Sequence, residues 1–109
     1  MEKLGPGEFE GKRLKRRGTW VVAFSADWCP FCRSFLPEFE ALRGSGPFEI
    51  AVGDLTDETS PLWDRFEVEV VPTLVAFREG EAIFRRDGRL GRGLGPADFE
   101  ALRTALQPT

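Results

Sequence analysis

The sequence predicts an α/β protein in which a central mixed β-sheet is flanked by helices. Short apolar runs of strand length alternate along the chain with segments whose apolar residues recur at helical spacing. The resulting order is β-α-β-α-β-β-α, which fits parallel strands joined by crossover helices and then one antiparallel hairpin. With 109 residues, we expect a single domain over residues 1–109.

The first half of the chain is predicted to hold a polar segment, a buried strand and a long helix. Residues 1–18 are polar, with a short strand expected around Glu8–Glu10 and a short helix around Lys12–Arg17. Thr19–Ser25 is apolar almost throughout, which predicts a buried strand. The helix that follows is expected to end near Gly44, and its apolar face comprises Phe35, Leu36, Phe39 and Leu42.

The second half is predicted to hold a strand, a short helix, a hairpin and a final helix. These are the strand Phe48–Gly53, the helix Thr59–Phe66, the hairpin strands Thr73–Arg78 and Glu81–Arg86, and a helix that Gly95-Pro96 opens. The two hairpin strands alternate around Glu79-Gly80, a two-residue turn signal. The apolar side of the final helix comprises Phe99, Leu102, Ala105 and Leu106.

Composition excludes several classes of function. The net charge of −3 argues against a general nucleic-acid binder. No run of 18 apolar residues predicts a membrane-spanning helix, and residues 1–18 do not have the apolar run of a signal peptide. If Met1 is the natural start, we therefore expect a cytoplasmic protein, and nothing in the sequence requires more than a monomer. Abundant charge without Asn fits a heat-adapted source or a GC-rich genome.

One basic run interrupts this acidic balance. Five of the six residues from Lys12 to Arg17 are cations. They could attract an acidic partner or RNA. Because a single short run in an acidic chain is a weak signal, we instead predict a solvated face whose cations are balanced by acids such as Glu8 and Glu10.

The only two cysteines stand in the segment Cys29-Pro30-Phe31-Cys32. They follow a predicted strand and open a predicted helix, the layout of a dithiol that opens and closes as a disulfide. A helix N-terminus favours the thiolate, and Pro30 suits the first helical position. A structural disulfide would close too small a loop to stabilise much. Zinc would need four ligands, and without His or further Cys only a dimer sharing two pairs could supply them.

In this context the sequence resembles the thioredoxin family over roughly residues 8–107. The motifs that carry the resemblance are Trp28-Cys29-x-x-Cys32, Pro37, Asp54, Val71-Pro72-Thr73 and Gly91. A pair of cysteines at this spacing is a moderate signal, whereas the whole set in this order is a strong one. The resemblance implies the thioredoxin fold and the activity of a thiol–disulfide oxidoreductase.

The resemblance also implies roles for individual residues. Cys29 is expected to be the nucleophile, partly exposed at the helix N-cap, and the more buried Cys32 is expected to resolve the mixed disulfide. Pro72 is expected to be cis, with the Val71 backbone pairing with an extended substrate segment. Trp28 and Phe31 are expected to form an exposed apolar rim. The expected substrate-binding residues are Trp28, Pro30, Phe31, Val71, Pro72, Thr73 and Gly91.

The partners follow from the same resemblance. We expect a reductase of protein disulfides, recharged by a thioredoxin-reductase-like electron donor or another dithiol, because the chain has no nucleotide-binding fingerprint. No metal is expected, and no cofactor beyond the redox-active disulfide Cys29–Cys32.

Two features depart from the family pattern. The residues between the cysteines are Pro30-Phe31 rather than Gly-Pro, and such pairs are more usual in glutaredoxins and some thiol oxidases. Ala23 and Val52 stand where thioredoxins usually bury an Asp and place a nearby Lys. Without that carboxylate, deprotonation of Cys32 should slow the reductive step at acidic pH.

Restoring the carboxylate tests this expectation. The variant Ala23→Asp should turn over a disulfide substrate faster than wild type at acidic pH, because the new carboxylate can accept the Cys32 proton. Steady-state turnover across the acidic range measures the effect. An unchanged rate would contradict the proposed role of the missing acid.

Three alternatives remain open. A disulfide oxidase or isomerase is favoured by Pro30-Phe31 and opposed by the lack of a signal peptide. A glutaredoxin-like enzyme is weaker, because Arg86-Asp87-Gly88 only faintly resembles the Gly-Gly-Asp segment of glutaredoxins. A third alternative, of a different class, is a non-catalytic binding module in which the cysteines serve as a redox latch. Turnover of a disulfide such as insulin distinguishes such a module from an enzyme.

Overall fold

The computed structural model describes residues 1–107 and confirms a mixed sheet flanked by helices. Three helices follow one another as α1 (Pro30–Glu40), α2 (Leu62–Arg65) and α3 (Pro96–Leu106). The described residues also form seven strands: β1 (Lys3–Leu4), β2 (Phe9–Glu10), β3 (Arg13–Leu14), β4 (Thr19–Ser25), β5 (Glu49–Asp54), β6 (Thr73–Arg78) and β7 (Glu81–Arg86). A short 3-10 turn covers Pro6–Glu8.

Five of the strands form the central sheet, in the order β1-β5-β4-β6-β7. β5 runs parallel to both β1 and β4, whereas β6 runs antiparallel to β4 and to β7. The predicted bounds of β4, β6 and β7 are confirmed, and β5 begins and ends one residue later than predicted. The carboxyl end of the central strand β4 leads directly into the segment that carries the cysteines.

Alternation along the strands builds one apolar layer on each face of the sheet. On one face, four phenylalanines pack with centroid distances between 4.9 and 6.1 Å; they are Phe9, Phe24, Phe66 and Phe77. On the other face, Phe35 of α1 stacks on Phe39 and on Phe99 of α3. The two helices therefore cover the same face of the sheet, and α1 is held where its N-terminus meets the end of β4.

The predicted helix at Lys12–Arg17 is wrong. Arg13 and Leu14 form the short strand β3, which pairs antiparallel with β2. Leu14 is buried, and its amide donates to the Gly80 carbonyl 3.0 Å away. Tertiary contacts with the turn between β6 and β7, rather than local helix propensity, therefore determine the conformation of this segment.

Four of the five cations of this basic run pair with acids of the same chain. Arg16 pairs with both Glu2 and Glu8. Three further pairs are Lys12–Glu67, Arg13–Glu81 and Arg17–Glu79. This pairing favours the predicted solvated, charge-balanced face over a surface for RNA. Of the two acids predicted to balance the run, Glu8 forms an ion pair with Arg16, whereas Glu10 pairs with none of these cations among the described residues.

Two helices are shorter than predicted. α2 begins at Leu62, because Asp57 and Ser60 form side-chain turns that occupy the segment expected to start the helix at Thr59. α1 ends at Glu40 and continues as turns to Gly44, whose φ is +75°. In α3, Ala105 is exposed rather than part of the buried side.

Asp98 is a buried carboxylate that fixes the start of α3. It accepts a hydrogen bond from the Gly95 amide at 2.8 Å and two from the Arg89 guanidinium at 3.3 Å. Burial alone would raise the pKa of Asp98, but the Gly95 and Arg89 hydrogen bonds hold it below its ordinary value. The charged form is therefore the one that stabilises the fold.

Asp98→Asn should lower the free energy of unfolding at neutral pH by about 1–3 kcal/mol, because it weakens a charge-assisted network in a buried place. Since the folded-state pKa lies below the unfolded one, this stabilisation is present above pH ~4 and disappears as the pH falls further. Urea unfolding of both proteins at neutral and acidic pH measures it. Equal pH dependence in wild type and variant would contradict the assignment.

No helix within residues 1–107 is long and apolar enough to cross a membrane.

Candidate active site

Cys29 is the N-cap of α1. Its amide donates to the Ala26 carbonyl at 3.1 Å, which turns the chain from the end of β4 into the helix. Its sulfur accepts a hydrogen bond from the Cys32 amide at 3.3 Å, and Pro30 occupies the first helical position as predicted. The amide dipoles of the first helical turn are therefore aimed at the Cys29 sulfur.

The expectation of a partly exposed Cys29 is wrong. Both cysteines are reduced, Cys32 is fully buried and Cys29 is only 5% exposed. The Cys29 thiol donates to the Val71 carbonyl 3.5 Å away, so the loop before β6 covers the sulfur.

Cys32 is held in the thiol form. Burial raises the pKa of Cys32 to about 12, with a further increase from the neighbouring Cys29, and a hydrogen bond with the Ala26 backbone offsets only part of this. Ala23 of β4 and Val52 of β5 are buried and lie opposite each other in the sheet. These are the two positions at which the resemblance implies a buried Asp and a nearby Lys. This pair offers no carboxylate to receive the Cys32 proton.

Pro72 follows a cis peptide bond from Val71, as predicted. Thr73, the next residue, is buried, and its hydroxyl donates to the Val70 carbonyl at 2.7 Å. The predicted residues Val71, Pro72 and Thr73 therefore lead into β6 one after another, and the Val71 carbonyl contacts the Cys29 sulfur.

Two exposed aromatic side chains flank the cysteines. Trp28 is 47% exposed and Phe31 is 42% exposed, as the sequence predicted for both side chains. The Trp28 indole stacks on Trp63 of α2, with ring centroids 6.3 Å apart, and its N–H donates to the Thr56 carbonyl. A core position for Trp28 is thus excluded, and the indole is fixed at the surface.

Gly91 is not brought against this site. Its φ is +75°, and there is open space where its Cβ would lie. The glycine that contacts the rim is Gly93, where a Cβ would stand 3.1 Å from the Phe31 Cβ. The amides of Arg92 and Gly93 both donate to the Arg89 carbonyl, so the chain turns back on itself over these residues. Leu90, which lies in this turn, is 88% exposed.

Sequence reasoning also missed Gly88. A Cβ at this position would lie 2.4 Å from the Pro72 carbonyl oxygen, so only glycine allows the two loops to touch. The four glycines between residues 88 and 95 are the signal that close backbone approaches occur here, although they do not say which glycine meets which partner. Among residues 1–107, no cluster of three or more His, Cys, Asp or Glu side chains could hold a metal ion.

Proteins of known sequence are similar to most of this chain. The thioredoxin family model matches residues 1–94. A thioredoxin of Rhodospirillum rubrum is 30% identical over 91 residues, 83% of this chain and 88% of that protein. A protein disulfide-isomerase A6 homolog of Drosophila melanogaster is 31% identical over 104 residues, which are 94% of this chain but only 21% of that much longer protein.

A solved structure shows the same fold. Thioredoxin f2 of Chlamydomonas reinhardtii is similar with a TM-score of 0.79, over 100% of this chain and 98% of that chain, at 20% identity. The predicted thioredoxin fold is thereby confirmed, and the relatives support thiol–disulfide oxidoreductase chemistry in general. The cysteine pair at the start of α1 is the group that can perform such chemistry. The chain therefore belongs to the thioredoxin family.

Proposed function

We propose that this chain reduces protein disulfides through a dithiol–disulfide cycle of Cys29 and Cys32. One observation carries the proposal: Cys29 caps α1 with its sulfur held between the Cys32 amide and the Val71 carbonyl. This places a nucleophile at a helix N-terminus, beside a backbone that an extended polypeptide can pair with.

In the first step, the Cys29 thiolate attacks one sulfur of the substrate disulfide. A Cys29–substrate disulfide forms, the substrate S–S bond breaks, and the departing sulfur leaves as a thiolate that takes up a proton. Cys32 then attacks the Cys29 sulfur, which forms the Cys29–Cys32 disulfide and releases the second substrate sulfur. The two electrons come from the dithiol, and the proton of Cys32 passes to the departing thiolate or to solvent.

The exposed rim fits a protein substrate. Trp28 and Phe31 present exposed apolar surface within two residues of the buried Cys29, so a large partner that covers both gains more than a small polar thiol would. An external dithiol donor of the thioredoxin-reductase type would return the pair to the reduced state. We propose no metal and no organic cofactor for the cycle, and we place it in a reducing compartment such as the cytoplasm.

A disulfide oxidase or isomerase is the second candidate. The Pro30-Phe31 pair favours it, and some relatives carry the name protein disulfide-isomerase. All three activities proceed by thiol–disulfide exchange. An oxidase takes two electrons from a substrate dithiol, whereas an isomerase rearranges substrate disulfides without net electron transfer, and both work with a less stable Cys29–Cys32 disulfide than a reductase has.

The reduction potential of the Cys29–Cys32 pair decides between them. Equilibration in defined thiol–disulfide buffers measures it. A value near about −270 mV, the thioredoxin end of the range, is expected for a reductase, whereas about −180 mV or higher would favour the oxidase or isomerase. Catalysed reduction of insulin by a dithiol is the accompanying assay, and a chain that binds partners without such turnover would be a redox-sensitive binding module.

A further inference from the structure

The loop that covers Cys29 has little regular structure of its own. This proline loop, residues 67–72, links α2 to β6 and carries Val71 against the Cys29 sulfur. Within it, the Val68 amide donates to the Trp63 carbonyl at 2.9 Å, and Glu67 adopts a positive φ of 51°. Because α2 has only four residues, contacts from elsewhere must hold the loop in place.

Arg85 of β7 supplies such contacts at the start of the loop. Its guanidinium donates to the Phe66 carbonyl at 2.5 Å and to the Glu67 carbonyl at 3.1 Å. A third donor, Nε, is taken by the Asp87 carboxylate. One planar group therefore binds the carbonyls of the two residues that follow α2, while Asp87, which directly follows β7, fixes its orientation.

The residues that follow Arg85 hold the other end of the loop. Gly88 packs against the Pro72 carbonyl, and its amide donates to the Thr73 hydroxyl at 3.4 Å, which in turn donates to the Val70 carbonyl. The segment 85–88 thus contacts the proline loop at both ends and leaves Val71 between two fixed points.

Arg85 has few other tasks in the fold. It lies on the edge strand β7, and its side chain is 34% exposed. A residue needed here only for strand pairing could point its side chain into solvent. A lysine could not replace it in kind, because an ammonium group lacks the planar fork that reaches two carbonyls and a carboxylate together.

We propose that Arg85 is a positioning residue that fixes the Val71 backbone opposite Cys29 and thereby controls how well protein substrates dock. The proposal rests on the proposed function, in which an extended substrate segment pairs with Val71. Arg85 touches neither the substrate nor the reacting sulfurs, so its effect should fall on docking rather than on the exchange step.

The test compares two disulfides in Arg85→Ala, Arg85→Lys and wild type. Loss of two hydrogen bonds to loop carbonyls should raise KM for insulin about tenfold in Arg85→Ala, with kcat within about twofold. Arg85→Lys should resemble Arg85→Ala, because it keeps the charge but loses the fork. The rate with bis(hydroxyethyl) disulfide, which needs no paired strand, should change less than about twofold. Arg43→Ala, which removes one exposed ion pair at the end of α1, is the matched control.

Native-state hydrogen exchange provides a readout that does not depend on turnover. The Val68 amide should exchange about tenfold faster in Arg85→Ala, while amides of the β4–β6 ladder keep their wild-type rates. Unchanged KM for insulin, or an equal loss with both disulfides, would overturn the proposal. If Arg85→Ala does not fold, Arg85→Lys and Asp87→Asn decide by the same readouts. If wild type reduced neither disulfide, that result would contradict the proposed function. In that case the role of Arg85 would still be tested by hydrogen exchange, and an unchanged Val68 exchange rate in Arg85→Ala would overturn it.

Discussion

Cys29→Ser is expected to lower turnover of a protein disulfide by at least about a thousandfold, because a hydroxyl in place of the thiol cannot attack a disulfide sulfur at neutral pH. The fold should be unaffected, since a serine side chain suits a helix N-cap as well as cysteine does. Dithiol-driven reduction of insulin measures the loss, and thermal unfolding checks that the variant is folded.

Cys32→Ser is the matched variant. It keeps the nucleophile but removes the thiol that resolves the intermediate, so a stable mixed disulfide between Cys29 and the substrate should accumulate. Non-reducing electrophoresis and mass spectrometry detect the adduct. Residual turnover in Cys29→Ser above one-tenth of wild type, or adducts on Cys32 rather than on Cys29, would show that the roles of the two cysteines are assigned wrongly.

The reduced chain should lose stability as the pH rises from about 9 to about 12. Burial raises the pKa of Cys32 from 9.0 to about 12. Above pH 9 the unfolded chain therefore releases a proton that the folded chain retains, so unfolding becomes easier by about 1.4 kcal/mol for each pH unit within this window. Below pH 9 both states hold the proton, and the effect vanishes.

Urea unfolding under reducing conditions measures this loss. Between pH 8.5 and 10, reduced wild type should lose about 1 kcal/mol more than Cys32→Ser, whose serine does not titrate there. The oxidised chain has no free thiol and is a second control. Parallel pH dependence in reduced wild type and Cys32→Ser would contradict the raised pKa of Cys32.

Local signals were sufficient for the central elements of the fold. β6 and β7 match their predicted bounds, because Glu79-Gly80 fixes the turn and the register of the hairpin. β4 is equally clear, since an apolar run between polar segments fits only a buried strand. The polar segment around β3 was predicted wrongly as a helix, because its two-residue strand exists through contacts with distant parts of the chain.

The candidate site also contains features that local sequence predicts and features that depend on distant contacts. The residues beside the cysteines in sequence, Trp28 and Phe31, were predicted with their exposure. The burial of Cys29 was not, because the cover comes from Val71, which lies 42 residues away along the chain. Gly88 and Arg85 escaped prediction for the same reason, since each acts on the proline loop through contacts between separate elements.

The two outer strands of the sheet limit how it can associate with other copies of the chain. β1 has only two residues, so it offers a short row of unpaired backbone groups. β7 is longer, but its charged side chains are engaged within the molecule, with Glu81 bound to Arg13 and Arg86 close to Asp98. Short and charged edges discourage edge-to-edge pairing of strands. Under the proposed function, the backbone at Val71 pairs with a substrate, while the short and charged margins of the sheet discourage pairing with other strands.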